Sequence, residues 1–265
     1  MSSPNRTLIR PAAPRPGPRA PRFAFPVIDR IVGAEATPVL GLDAQTPSIV
    51  RLRLERPAGY QFRASQHALL RLSTEQGPDL RPLSLAAAPG SDHLEFATRA
   101  GPSAFKQALF DVRPGDIVKV SRPMGGLAYD PTRPAVFIAG GIGITPVRSL
   151  LFATETATTR SPIRLLFSNH AAEEIPFADE LAAISEQREN LSITWVLTSP
   201  SAVALPGPVH GGRLSEDLLR RQAAELPGAL FYVTGPAAMV SDVRAMLRDI
   251  GMPRSRIRCV AQGYR

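Results

Sequence analysis

The run Val136-Phe137-Ile138-Ala139-Gly140-Gly141-Ile142-Gly143-Ile144-Thr145-Pro146 narrows the fold more than any other stretch of the chain. An apolar strand enters a glycine-rich turn and then a helix, with Thr145 as the expected N-cap and Pro146 suited to the first helical position. Glycines at Gly140, Gly141 and Gly143 would let backbone N–H groups approach a pyrophosphate, whose charge a helix N-terminus favours. Close packing of a strand on a helix also selects glycine, so the turn alone is weak evidence. The agreement of strand, turn and cap favours the phosphate reading.

The rhythm of the chain changes around this run. From about Phe25 to Tyr129, short β-branched or leucine-rich segments alternate with turn residues: 27–31, 48–54, 67–72, 93–98 and 116–120. That spacing predicts an antiparallel barrel, interrupted by one helix over 104–110 and punctuated by the Arg-Pro-Gly turn at Arg113–Gly115. After Pro131 strands (135–139, 163–167, 191–197, 230–234, 257–260) alternate with helices (145–154, 176–187, 215–220, 236–250). Such alternation implies a Rossmann-like parallel sheet covered on both faces. At 265 residues the chain is long for one average domain. The expected division is a Pro/Arg-rich tail over 1–25, a β-barrel over 26–131 and an α/β domain over 132–265.

Charge and cysteine content exclude several classes of function. The net charge is +8, but Arg6, Arg10, Arg15, Arg19 and Arg22 fall in an acid-free start, and removing these five charges leaves +3. Prolines at Pro4, Pro11, Pro14, Pro16, Pro18 and Pro21 rule out a regular helix there, so the tail reads as extended or disordered rather than as a transit peptide. No nucleic-acid-binding motif accompanies the charge, and an acidic protein partner fits it better. The sole cysteine, Cys259, cannot form an internal disulfide or hold an iron–sulfur cluster on this chain. His67, His93, His170 and His210 lack metal-ligand spacing, so no metal site is expected. No apolar window approaches the roughly 18 residues of a membrane span, and a cytoplasmic protein is expected.

Two further segments carry chemistry. Tyr232-Val233-Thr234-Gly235-Pro236-Ala237-Ala238-Met239 follows a later strand, where ligands of open α/β sheets bind; in isolation it reads as a helix-starting turn. In Arg81-Pro82-Leu83-Ser84-Leu85-Ala86-Ala87-Ala88-Pro89 an arginine beside a hydroxyl suits a phosphate and a ring nitrogen. Arg81 equally suits a surface charge ending a strand.

Taken in order, Arg-x-x-Ser, Gly-Gly-x-Gly-x-Thr-Pro and Gly-Pro-x-x-Met resemble the ferredoxin–NADP reductase superfamily over about residues 26 to 265. The bacterial branch is suggested by Arg81-Pro82-Leu83-Ser84 and by Ser103-Ala104-Phe105-Lys106. The resemblance implies an NAD(P)H-dependent FAD oxidoreductase. Arg81 would hold the flavin phosphate, with Pro82 and Leu83 beside it and Ser84 near flavin N5. Gly101, Ser103 and Ala104 would receive the FAD pyrophosphate. Gly140, Gly141, Gly143, Thr145 and Pro146 would bind the nicotinamide dinucleotide, while Thr234, Gly235, Pro236 and Met239 would lie under the nicotinamide. Ser84 and Thr234 are the implied catalytic pair.

Three positions depart from the family pattern. Leu83 replaces the aromatic residue that many members set against the flavin, Ser65 stands where a glycine usually precedes Gln66, and the ending Cys259–Arg265 lacks the branch's acidic and aromatic residues. At Asn169-His170 related sequences commonly show Asn-Arg. The neutral imidazole, with Glu173 and Glu174 nearby, favours NADH over NADPH. Without an on-chain cluster, electrons are expected to pass to a ferredoxin, a haem protein or an oxygenase component. The alternatives are a stand-alone diaphorase reducing quinones or free flavin, and an interaction module that kept the fold without flavin.

Overall fold

The computed structural model describes residues 33–154, 161–199 and 203–262. The expected tail, the strand expected at 27–31 and the Gly-Tyr ending lie outside these residues.

The first half is an antiparallel sheet of β1 (Glu35–Thr46), β2 (Ile49–Glu55), β3 (His67–Thr74), β4 (Gly77–Ser84), β5 (His93–Arg99) and β6 (Ile117–Val120), with helix α1 (Ala104–Phe110) between the last two strands. The strand order is β4-β3-β6-β1-β2-β5. Its two edges meet through the bridge Leu85–Phe96, beside which the Ala86 N–H donates to the Glu95 carbonyl at 2.7 Å, bringing the sheet round into a barrel. Alternate side chains of β2, β3, β5 and β6, with Val39 of β1 and Leu83 of β4, enter one core built around Leu52, Leu54, Leu70, Phe96 and Phe105.

Neither β1 nor β4 was visible as a strand in the sequence, and proline is the reason in both. Pro38 sits where β1 changes partner, pairing with β6 up to Pro38 and with β2 from Val39, so its missing N–H costs no ladder bond on the second side. Pro78 and Pro82 lie in β4, an edge strand of the hydrogen-bonded order, where a residue without N–H is tolerated.

The second half is a parallel sheet of β7 (Ala135–Gly140), β8 (Ile163–Asn169), β9 (Leu191–Leu197), β10 (Val209–Gly211), β11 (Leu230–Pro236) and β12 (Ile257–Gln262), in the order β10-β9-β8-β7-β11-β12. Helices α2 (Ile144–Ala153) and α3 (Ala178–Gln187) cover one face; α4 (Glu216–Glu225) and α5 (Ala237–Asp249) cover the other. Burial on both faces explains why β7 is fully buried and reads as a continuous apolar run. Helix α4 extends to Glu225, past the Arg220 expected from the sequence; Ser215 caps it, its Oγ accepting from the Leu218 N–H at 3.3 Å. The short β10 was not expected.

The core on the α2 and α3 face also contains Ile49 and Ala97 from the barrel, so the halves share apolar contact. No described helix is long and apolar enough to cross a membrane.

Candidate active site

The carboxyl ends of β7 and β11 carry the two glycine turns, which pack directly on each other. A Cβ at Gly143 would lie 2.6 Å from the Gly235 Cα and 2.8 Å from the Thr234 carbonyl carbon; one at Gly140 would lie 2.3 Å from the Met239 Sδ. Gly235, at φ +149°, completes the knot. Thr234 is fully buried and its hydroxyl donates to the Gly143 carbonyl at 2.7 Å. Its side chain therefore joins the two turns. Gly143 is likewise required by turn-on-turn packing, whereas the nearest neighbour of a Cβ at Gly140 is the flexible end of the Met239 side chain. Gly141 differs: at φ +51° its Cβ position meets only the Arg99 guanidinium, 3.9 Å away.

Thr145 is not the N-cap of the following helix. A 3-10 turn over Gly141–Gly143 leads directly into α2 at Ile144, placing Thr145 and Pro146 inside the first turn, where the Thr145 hydroxyl donates to the Ile142 carbonyl at 3.0 Å. Turn geometry supplied by glycine replaces the side-chain cap.

At the end of β8, the carboxamide of Asn169 is 6% exposed and both its polar atoms lack a partner among the described residues. A buried amide left this way costs folding free energy unless a ligand satisfies it. His170 is exposed, with Nδ1 at 3.1 Å from the Thr198 hydroxyl. Glu173 is exposed, whereas Glu174 reaches across to the barrel. Its carboxylate accepts from the Ser48 hydroxyl at 2.5 Å and pairs with Arg99 at 3.0 Å. Glu174 thus serves an interface between the halves and does not supply the expected repulsion toward a 2′-phosphate.

In the barrel, Arg81, Leu83, Thr98, Pro102, Ser103, Phe105 and Lys106 line a cavity of about 190 Å³. The Arg81 guanidinium pairs with Asp79 and donates to the Leu80 carbonyl at 2.9 Å. Leu83 is buried, packed into the barrel core and facing the cavity. Ser84, half-buried, pairs across the ladder with His67. Ser103 caps α1, its Oγ accepting from the Lys106 N–H at 3.4 Å, and Ala104 opens that helix. Lys106 lies over Gly101, with Nζ 3.1 Å from where a Cβ would be. No role was read for Lys106 in the sequence; one helical turn places it beside Ser103, and it adds a second cation to the cavity.

The departure at Ser65 has a backbone explanation. This residue adopts φ +68°, a conformation that favours glycine, and holds it because its Oγ accepts from the Leu127 N–H at 2.8 Å. His67 is half-buried, and burial holds its pKa below the ordinary 6.5. No group of three or more His, Cys, Asp or Glu among the described residues could hold a metal ion. Cys259 is half-buried in β12, and burial pushes its thiol pKa up, which suits packing and not nucleophilic attack.

The family model for the oxidoreductase NAD-binding domain matches residues 137–245. Ferredoxin–NADP reductase B of Sorangium cellulosum is 32% identical over 223 residues, covering 80% of this chain and 91% of that protein. The reductase component of the naphthalene 1,2-dioxygenase system of Pseudomonas putida is 27% identical over 226 residues, 83% of this chain and 66% of that protein. The chain thus spans slightly under two thirds of that relative's length. A ferredoxin NADP+ reductase from Neisseria gonorrhoeae, solved with bound FAD and NADP, matches with a TM-score of 0.74 at 24% identity, covering 86% of this chain and 98% of that one.

Proposed function

Because this chain belongs to the ferredoxin–NADP reductase superfamily, we propose that it is an NAD(P)H oxidoreductase that passes electrons from a nicotinamide dinucleotide, by way of FAD, to a separate acceptor protein. The observation that carries this reading is the joining of the two candidate cradles: the Ser149 hydroxyl on α2 donates to the Ala87 carbonyl at 2.6 Å, three residues beyond Ser84. This contact ties the helix that follows the Gly141–Gly143 turn to the backbone that follows Ser84.

The residues present fit both groups. Two cations, Arg81 and Lys106, with apolar Leu83 and Phe105, suit a nucleotide that joins phosphates to an aromatic ring. The open Gly141 backbone and the unpartnered Asn169 amide suit a second nucleotide at the ends of β7 and β8. When bound, the nicotinamide supplies a hydride and the flavin accepts it, so no acid–base triad is needed. The chain's own work is placement. Arg81 and Lys106 would hold phosphate charge, Ser103 with Ala104 would present the start of α1, and Ser84 would donate to the flavin. Pro82 fixes the β4 backbone between Arg81 and Ser84. On the other side, Gly140, Gly143, Gly235, Pro236 and Met239 would form the wall for the dinucleotide, with Thr234 holding the two turns together. Thr145 and Pro146 set the start of α2.

The proposed dinucleotide is NADH, because His170 at the end of β8 carries no permanent cation for a 2′-phosphate. The net charge of +8 favours an acceptor with an acidic surface. Steady-state turnover of the FAD-loaded chain with NADH tests the acceptor. Reduction of an added iron–sulfur or haem protein is expected; turnover confined to quinones, ferric complexes or free flavin would make the chain a diaphorase.

A further inference from the structure

Arg148 lies on α2, one helical turn past the glycine turn, and is only 7% exposed. Its guanidinium reaches three elements at once. Nη1 donates to the Ala86 carbonyl at 2.7 Å and lies 2.9 Å from the Glu95 carboxylate, a Coulombic contact, since the hydrogen bond itself is directed at Ala86. Nη2 and Nε reach Glu180 on α3, Nε at 2.9 Å. Glu180 in turn accepts from Arg51 of β2 at 2.9 Å. An alternating chain of charges, Arg51, Glu180, Arg148 and Glu95, therefore leaves the barrel, crosses two helices of the α/β half and returns to the barrel.

Two rings fix the guanidinium, with Phe177 and Phe152 centroids 4.6 and 4.8 Å from its Cζ. Phe177 adopts φ +61°, in the left-handed region that bulky residues avoid, while its ring is buried. A strained backbone that places an aromatic face on a buried cation marks a site held for geometry. Residue 149 adds a second point of attachment: the Ser149 hydroxyl donates to Ala87 and accepts from the Ser65 N–H at 3.3 Å.

We propose that Arg148 is a positioning residue that fixes the spacing between the two cofactor cradles, by tying the helix that starts at the Gly141–Gly143 turn to the Ala86-Ala87 backbone directly after the Ser84 motif. This rests on the reductase reading above. Hydride transfer falls steeply with misplacement, and a displacement of about 1 Å can cost on the order of a hundredfold in rate. Because Arg148→Met would strand the buried Glu95 carboxylate and could prevent folding, the informative variants are milder. Arg148→Lys keeps the charge but not the fork that reaches Ala86 and Glu180 together. Glu180→Gln alters the half-exposed partner.

The experiment pairs anaerobic stopped-flow flavin reduction by NADH with hydrogen exchange of the cofactor-free protein. In both variants FAD content and NADH affinity are expected to hold, while the reduction rate per bound flavin falls by roughly tenfold or more. Amide exchange should speed up over 85–91 and 172–187, with β7 and β11 still protected. An unchanged reduction rate per bound flavin, or rate loss that tracks loss of FAD or of core protection, overturns the proposal. If neither NADH nor NADPH reduces flavin in the unmodified protein, the reductase reading is the one that fails. The exchange pattern then decides the clamp alone, and unchanged exchange over both segments would overturn it.

Discussion

Single residues separate packing from binding within one glycine turn. Alanine at Gly143 would drive a methyl group into the Gly235 backbone, which has no flexible side chain to yield, so a loss of about 3 kcal/mol is expected in urea unfolding. Alanine at Gly141 makes only an ordinary contact with the Arg99 guanidinium and incurs the left-handed backbone penalty, about 1 kcal/mol, yet should weaken NADH binding. Equal destabilisation by the two changes would contradict the turn-on-turn contact. In the barrel, if Arg81 and Lys106 hold the flavin phosphates as proposed, Arg81→Ala and Lys106→Ala should each remove a charge-assisted contact of roughly 1.5–3 kcal/mol and raise the FAD dissociation constant about tenfold or more. Retention of FAD by both variants in equilibrium dialysis would remove these residues from the site. The motif residues were legible because glycine, proline and arginine announce special backbone or charge. The contacts of Thr234 and Glu174 were not legible, because sequence gives neither the neighbour across a turn nor the partner across an interface. Lys106 lay in a quoted motif but needed the turn of α1 to bring it over Gly101.

Elements were legible where hydrophobic periodicity was unbroken. Strands β7, β8, β9 and β11 stood out as apolar runs because both their faces are covered, whereas β1 and β4 carry prolines that only a change of partner and an edge position make acceptable. The β3–β4 pair has a pH signature. Burial keeps the pKa of His67 below 6.5, so the unfolded chain takes up a proton more readily than the folded one. This contribution to stability is complete above pH 6.5 and is lost as pH falls below it. Urea midpoints of the unmodified protein should drop on acidification through that value, and His67→Asn should show a smaller drop. An identical pH dependence in the two proteins would show that His67 titrates freely.

At the scale of the whole molecule, the proposed function rests on two candidate cradles, one in each half, and on the charged interface that ties the halves together. The order of the motifs made the two-half architecture legible; the interface, made by Arg148, Glu95, Glu180, Arg51, Arg99 and Glu174, was not, because its charges lie far apart in sequence. The proposed cofactor choice belongs to this scale too, since it is argued from the residues that follow β8. Comparison of kcat/KM for the two dinucleotides should favour NADH, and a value tenfold higher for NADPH would signify about 1.4 kcal/mol of phosphate recognition elsewhere. The most direct test of the central claim is anaerobic titration of the FAD-reconstituted chain with NADH, followed by visible absorbance. Stoichiometric bleaching of bound flavin is expected, and a chain that takes up no FAD, or whose bound FAD is bleached by neither NADH nor NADPH, would contradict the account.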